Sequence, residues 1–321
     1  MGGRVVVVGS YNQDFIWRTD HFPAAGETRL GHFSTGPGGK GFNQAVAAAR
    51  QGAHVSFVAA LGRDAIGQGA AALAEAEGID ARWQWCQDYP SGNAAILLDA
   101  AGQNRIVVGS GANLALAVAH VEDQRDTIAS ADLVLAQHEV NPAATRRALE
   151  LARAAGVATM LNPAPPLAEE DGGLLPLLDL LTPNETEFTH LLARCAHLRV
   201  SADQVAHLGD AELHDLARHL PVASVVITLG AAGVFVSHDE SSRWRDQATH
   251  YRVAAEAVTP CDTTGAGDAF SGSLAAGLAS LGGNPFHTAI RHANRVAGLA
   301  TETPGAALAI PKRAQVIERF G

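Results

Sequence analysis

The run Val5-Val6-Val7-Val8, closed by Gly9, restricts the fold more than any other part of the chain. Four consecutive β-branched residues favour an extended backbone. Successive side chains of a strand point to opposite faces, so this strand has no polar side to offer to water. It must be covered on both faces, as a strand inside a parallel sheet is. Short apolar runs of the same kind recur at His54 to Leu61, Asp132 to Ala136, Val157 to Leu161, Asp179 to Leu181 and Val225 to Thr228. Helical stretches separate them: Phe42 to Gln51 before Gly52, Ile66 to Glu77 before Gly78, one opened by Asn141-Pro142 and ending at Gly156, and one opened by Thr182-Pro183-Asn184. The alternation predicts an α/β protein whose mostly parallel central sheet carries helices on both faces.

Two stretches, residues 11–37 and 92–109, break the pattern. They hold strand-like pieces, among them Asn93 to Leu98 and Arg105 to Val108, with no helix between. They predict a small β layer, a lid, on a single domain spanning residues 1–321. Residues 194–209 read as an irregular surface excursion. With 47% hydrophobic and 17% charged residues the chain has the balance of a soluble globular protein. A net charge of −10 argues against a nucleic-acid or anionic-membrane surface, so an anionic ligand must be held locally. Cys86, Cys195 and Cys261 are odd in number and far apart, which suits a reducing compartment. The Val5–Val8 run is too short for a signal peptide, and no apolar stretch is long enough to span a bilayer. The expectation is a cytoplasmic protein.

The chemistry concentrates where strands end. Asp262-Thr263-Thr264-Gly265-Ala266-Gly267-Asp268 lies between a strand read at Tyr251 to Val258 and a helix read at Ala269 to Ser280. Gly and Ala at a helix start let a ligand approach unpaired N–H groups, and the helix dipole favours an anion there. An acid at that point is odd in a loop that only binds anions. It makes sense if Asp268 takes a proton from a nucleophile attacking a bound phosphate, the alternative being a Gly-rich turn with Asp268 as helix cap.

A second run, Gly36-Pro37-Gly38-Gly39-Lys40-Gly41-Phe42-Asn43-Gln44, fits GxGxxG through Gly36, Gly38 and Gly41. A dinucleotide site would need an acid closing the following strand, which ends instead in Gly62-Arg63 before Asp64. A P-loop would need Ser or Thr after Lys40, where Gly41 stands. The run suits backbone lying close to a polyhydroxylated ligand, with Lys40 and Asn43 as donors. Ser10, Asn12 and Asp14 follow the first strand and suit hydroxyl recognition, though turn chemistry explains them equally well alone. Gln137-His138-Glu139, Asn162-Pro163-Ala164-Pro165, Thr182 to Glu187 and Thr228-Leu229-Gly230 end four more strands. Packing does not call for polar groups at so many consecutive strand ends; a single site does. His190, Cys195 and His197 match no common zinc spacing.

Taken together, Gly38 to Ala45 (GGKGFNQA), NPAP, TPNETE, VITLG and Asp262 to Gly272 (DTTGAGDAFSG) resemble, in order and over nearly the whole chain, the ribokinase family of ATP-dependent, PfkB-type carbohydrate kinases. The resemblance implies a three-layer sandwich with a small β-sheet lid, and phosphorylation of a sugar primary hydroxyl, D-ribose giving ribose 5-phosphate. It implies Asp268 as general base, with Gly265, Ala266 and Gly267 as the anion hole. Asn12, Asp14, Gly38, Gly39, Lys40, Asn43 and Glu139 would hold the sugar. Asn184 and Glu187 would organise Mg2+ through water, Thr228 and Gly230 would touch ATP phosphates, and Asn294 would lie near the base of the nucleotide. K+ would bind Asp262 and the carbonyls of Thr264, Ala300, Thr303 and Gly305, less one ligand, because Ala309 stands where many members have Ser. Tyr11 and Phe42 are bulkier than the family's usual residues and are expected to reshape the sugar pocket. Relatives commonly dimerise through the lid. Fructose, a keto-deoxy sugar acid or a nucleoside are alternative acceptors, and a non-catalytic sensor or an NAD-binding protein the readings outside the kinases.

Overall fold

The structure is a computed structural model that describes residues 2–166, 171–244, 246, 248–280 and 286–321. Its strands, in chain order, are β1 (Arg4–Val8), β2 (Asn12–Arg18), β3 (His32–Gly38), β4 (His54–Gly62), β5 (Asp80–Cys86), β6 (Asn93–Leu98), β7 (Asn104–Gly109), β8 (Leu133–Ala136), β9 (Ala158–Leu161), β10 (Leu180–Leu181), β11 (Ser224–Thr228), β12 (Val234–His238) and β13 (His250–Val253). Nine of them form one sheet in the order β13-β12-β11-β10-β9-β8-β1-β4-β5. Pairing is parallel from β11 through β5, while β12 and β13 are added antiparallel at one edge.

Strand β1 lies inside this sheet, between β4 and β8. Its two faces enter different cores. Val5 and Val7 pack with Phe42 and Leu274, whereas Val6 and Val8 pack with Ala144 and Ala148. This is the period-two consequence of an all-valine strand, with a helix layer on each side. The layers are built from α1 (Lys40–Arg50), α2 (Ala65–Ala76), α3 (Pro142–Ala154), α4 (Glu185–Leu191), α5 (Ala202–His207), α6 (Ala266–Ala279) and α7 (Phe286–Ala300). The chain runs to β4 on one side of β1 and later to β8 on the other, so their carboxyl ends open a crevice where the strand order reverses.

The two anomalous stretches pair with each other into a separate sheet, β3-β2-β6-β7. Strands β2 and β6 are parallel; β3 and β7 are antiparallel edges. The sheet begins three residues past β1 and returns through β3 into α1, with Gly39 alone between them. Strand β7 is exposed along its whole length, and Val107 is 73% exposed.

Several boundaries differ from the sequence reading, α1 for one starting at Lys40 and not Phe42. The strand expected to reach Val258 stops at Val253, because its partner β12 begins at Val234, paired with Val253, and offers no further backbone to bond. Helix α6 starts at Ala266, not Ala269, which puts Asp268 in its first turn. Within 194–209, residues 202–207 are helical: Ser201 and Gln204 form a reciprocal capping box and Val205 is fully buried beneath it. Among the described residues no helix is long and apolar enough to cross a membrane.

Candidate active site

The start of α6 sets the centre of the site. Gly265 is the N-cap, at φ 76° in the left-handed region, with no side chain to satisfy the first N–H groups. The Ala266 N–H turns back to the Thr263 carbonyl at 3.2 Å. The N–H groups of Gly265, Gly267 and Asp268 make no such bond among the described residues and stay available to a ligand. Asp268, 6% exposed, does not cap its own helix. Its carboxylate reaches to the first turn of α1, where Oδ2 accepts from Asn43 Nδ2 and Oδ1 from Gln44 Nε2, both at 2.9 Å.

Around this carboxylate lies a cavity of about 170 Å³, walled among others by Lys40, Asn184, Glu187, Thr228, Gly265, Gly267 and Asp268. Lys40 comes from the start of α1, Asn184 and Glu187 from that of α4, Gly265, Gly267 and Asp268 from that of α6, and Thr228 from the end of β11. Asn184 caps α4, and Glu187 answers it: Asn184 Oδ1 accepts from the Glu187 N–H, and the Glu187 carboxylate accepts from the Asn184 N–H and Nδ2. Thr228 ends β11 and bridges to Asn184. Burial pushes the Glu187 carboxyl above its ordinary range, against the bracing from the Asn184 N–H and the nearby Lys40.

Beside the cavity the Gly38–Lys40 turn meets the end of β1. Gly39, at φ 87°, packs so closely on Asn12 that a Cβ would stand 2.6 Å from its backbone nitrogen, and any side chain on Gly38 would strike the Asp14 carboxylate. Glu139 Oε2 accepts from Ser10 Oγ at 2.5 Å and from the Lys40 N–H at 2.9 Å. Asn12 is fastened by a fully buried Asn113, which donates to Asn12 Oδ1 and to the Tyr11 carbonyl and accepts from the Tyr11 N–H. Asp14 is pushed up to about 7, first by burial, then by the charges of Glu139 and Asp268. Burial works against the Lys40 ammonium too, but Asp268, Glu139 and Glu187 outweigh it and hold it above the ordinary lysine value. One cation therefore faces three carboxylates, a polarised crevice built to receive a ligand carrying both hydroxyls and anionic groups.

The model of the pfkB family carbohydrate kinases matches residues 3–313. The chain belongs to that family. It is 36% identical to the ribokinase of Haemophilus influenzae over 316 residues, 98% of this chain and 97% of that one. Among solved pfkB-type structures, the ribokinase of Giardia lamblia superposes with a TM-score of 0.86 at 28% identity, covering 100% of this chain and 99% of that one. The Arabidopsis thaliana ribokinase complexed with ribose and ATP does so with 0.81 at 28%, covering 99% and 98%.

In this pfkB protein the remaining sequence-predicted residues are less tightly gathered. Gly230 is exposed, in the turn just after Thr228. Asn294 lies outside the 170 Å³ cavity, where its Nδ2 ties down the Ala254 carbonyl at 2.7 Å. Asp262 joins two loops by accepting from the Thr264 N–H at 3.0 Å and the Gly305 N–H at 2.9 Å. Burial opposes the Asp262 charge, but hydrogen bonds from Thr264 and Gly305 outweigh it and keep the carboxyl below its ordinary range. Of the nearby carbonyls, that of Thr301 is taken by the N–H groups of Cys261 and Asp262, and that of Ala300 by the Thr303 N–H at 3.3 Å. The Ala309 methyl is buried and supplies no oxygen. Tyr11 and Phe42 do not line the 170 Å³ cavity. They are 2% and 0% exposed, pack edge to face, and Phe42 meets Phe57 in the core. Asn43, expected to hold a ligand, donates from Nδ2 to the Asp268 carboxylate, while its Oδ1 has no hydrogen-bond partner among the described residues. Gln44 and Asn113 were not anticipated. The only signal for Gln44 is its place beside Asn43 at a helix start, and Asn113 has none.

Proposed function

We propose that this pfkB kinase transfers the terminal phosphoryl group of ATP to the primary hydroxyl of D-ribose, giving D-ribose 5-phosphate and ADP. The observation that carries the reading is the shared cavity: the Asp268 carboxylate, the Lys40 ammonium and the open N–H groups of Gly265 and Gly267 face one small space, closed opposite by Thr228 and Glu187. As the sugar oxygen bonds to phosphorus, its proton passes to Asp268 and the bond to ADP breaks. The phosphoryl oxygens lie against the helix-start N–H groups and Lys40, which balance charge without reorganising. Asn12, Asp14 and Glu139 orient the sugar, and Thr228 and Gly230 guide the phosphates, with Asn294 on the nucleotide side.

Mg2+ supplies charge neutralisation between the phosphates when bound. Among the described residues no three His, Cys, Asp or Glu side chains are close enough to hold a metal directly. A single wall carboxylate, Glu187 with Asn184, fits a hold through water. Asp262, whose carboxyl is kept below its ordinary range, would hold a monovalent cation, K+, together with the backbone carbonyls of Thr264, Ala300, Thr303 and Gly305, with Ala309 leaving one position to water. The β3-β2-β6-β7 sheet acts as lid and, through its exposed Trp17, Phe33 and Val107, as the contact between two copies. Its free cysteines suit a reducing cytoplasm.

The test is coupled ADP release over a panel of ribose, 2-deoxyribose, fructose, a keto-deoxy sugar acid and a nucleoside, with K+ or Na+. Ribose is expected to give the highest kcat/KM, and K+ to raise it. Strong turnover of another acceptor with ribose inert overturns the assignment. Asp268→Asn is expected to lower kcat about 10²–10⁴-fold while sugar still binds.

A further inference from the structure

Beneath the Asp268 carboxylate lies a tier of buried amides with no part in the transfer described above. Gln44, 0% exposed, donates from one Nε2 both to Asp268 Oδ1 at 2.9 Å and to Asn162 Oδ1 at 3.1 Å. Its Oε1 accepts from Gln137 Nε2 at 2.6 Å. Asn162 in turn donates to the Thr182 carbonyl at 2.8 Å.

The orientation of every amide in this tier follows from its ends. A carboxylate and a backbone carbonyl only accept, so Gln44 and Asn43 must show their NH2 groups to Asp268, and Asn162 must show its own to Thr182. That leaves Asn162 Oδ1 for Gln44, and Gln44 Oε1 for Gln137. The leftover acceptors are orphaned: Asn43 Oδ1 and Gln137 Oε1 are buried with no hydrogen-bond partner among the described residues. Gln137 Oε1 is pressed against Gly9, where a Cβ would collide with it. Native proteins rarely leave buried acceptors unpaired without a reason. Here the reason is that Asn43 turns its NH2 to Asp268 and Gln137 turns its own to the acceptor that Gln44, donating to Asp268, leaves free.

We infer that Gln44, oriented by Gln137 and Asn162, is a positioning residue that fixes the rotation of the Asp268 carboxyl group, so that the oxygen aimed at the incoming hydroxyl is already in line. The inference rests on Asp268 being the general base. Gln44 lies beneath the base and does not line the cavity, so its loss alters the aim of the base more than the binding of either substrate.

The experiment compares kcat and KM, for ribose and for ATP, in Gln44→Met, Gln137→Leu, the double variant and Asp268→Asn, with folding followed by circular dichroism. Methionine keeps the volume of Gln44 and removes its donor. Gln44→Met is expected to lower kcat about 10–10²-fold, the scale of a small misplacement of a reacting group, with both KM values within about twofold. Gln137→Leu is expected to give a smaller loss of the same kind, and the double variant to match Gln44→Met alone, because Gln137 acts through Gln44. Normal kcat in Gln44→Met, a loss matching only the unfolded fraction, or additive losses in the double variant would overturn the inference. Should Gln44→Met not fold, the kcat-only defect of Gln137→Leu decides alone. An active Asp268→Asn would instead sink the base assignment itself, so the two failures are told apart.

Discussion

Asp14 faces two other carboxylates, Glu139 and Asp268, and its pKa of about 7 sets a pH dependence with a definite sign. Between its ordinary value near 4 and about 7, the folded chain holds a proton that the unfolded chain has released. Stability therefore falls as pH rises through that window and is level above it. Asp14→Asn cannot titrate. Its melting temperature relative to the parent is expected to rise from pH 4 to pH 8, checked by thermal melts without ligand. In the proposed sugar site, the same proton must leave before Asp14 can accept from a hydroxyl with both oxygens. The ribose KM of the parent should fall as pH rises through about 7, and initial-rate measurements on Asp14→Asn should show that dependence flattened. Lys40 is the mirror case: its removal in Lys40→Met leaves Asp268, Glu139 and Glu187 without their shared counter-charge. An unpaired buried charge costs about 3–5 kcal/mol, so a large drop in the urea midpoint is expected together with loss of turnover. At this scale the acids and the lysine were legible in the sequence, since charged residues beside Gly-rich turns have few structural reasons to be there. The amides were not. A buried Gln44 or Asn113 is written with the same letter as a surface one, and only the three-dimensional partner reveals its work.

The buried parallel strands declared themselves because apolar β-branched runs have no other stable setting, whereas β12, buried along its whole length, was not read from the sequence. Strand β5, Arg-Trp-Gln-Trp at its centre, lies at the sheet edge with alternating exposure, and its mixed sequence hid it. The overextended strand after His250 failed for a different reason: strand length is set by the partner, and β12 begins at Val234, opposite Val253. The start of α6 was misplaced by three residues because Gly265-Ala266-Gly267 carries no helix signal of its own. One element-level contact is directly testable. Asn113 spans about one hundred residues to hold the loop between β1 and β2, making three hydrogen bonds to Tyr11 and Asn12. Asn113→Ala leaves those buried groups unpaired, at about 1–3 kcal/mol. A several-fold rise in ribose KM is expected, with the ATP KM unchanged, as steady-state kinetics would show.

For the whole molecule, two sheets share one crevice. The second reaches far enough that its distal residues Arg18, Leu98 and Asn104 line a cleft of about 1100 Å³ with the Asp262 loop. The outward apolar residues of this sheet carry the proposed contact between copies. Val107→Lys on exposed β7 is expected to turn a dimer into a monomer in sedimentation velocity, whereas an unchanged sedimentation coefficient would remove that face from the assembly. Gly39 alone separates β3 from α1, and α1 holds Asp268, the proposed base, through Asn43 and Gln44. A lid that closes as proposed would pull on that same turn, so that grasping a sugar and aiming the reaction would be one mechanical event and an empty cleft would spend little nucleotide on water.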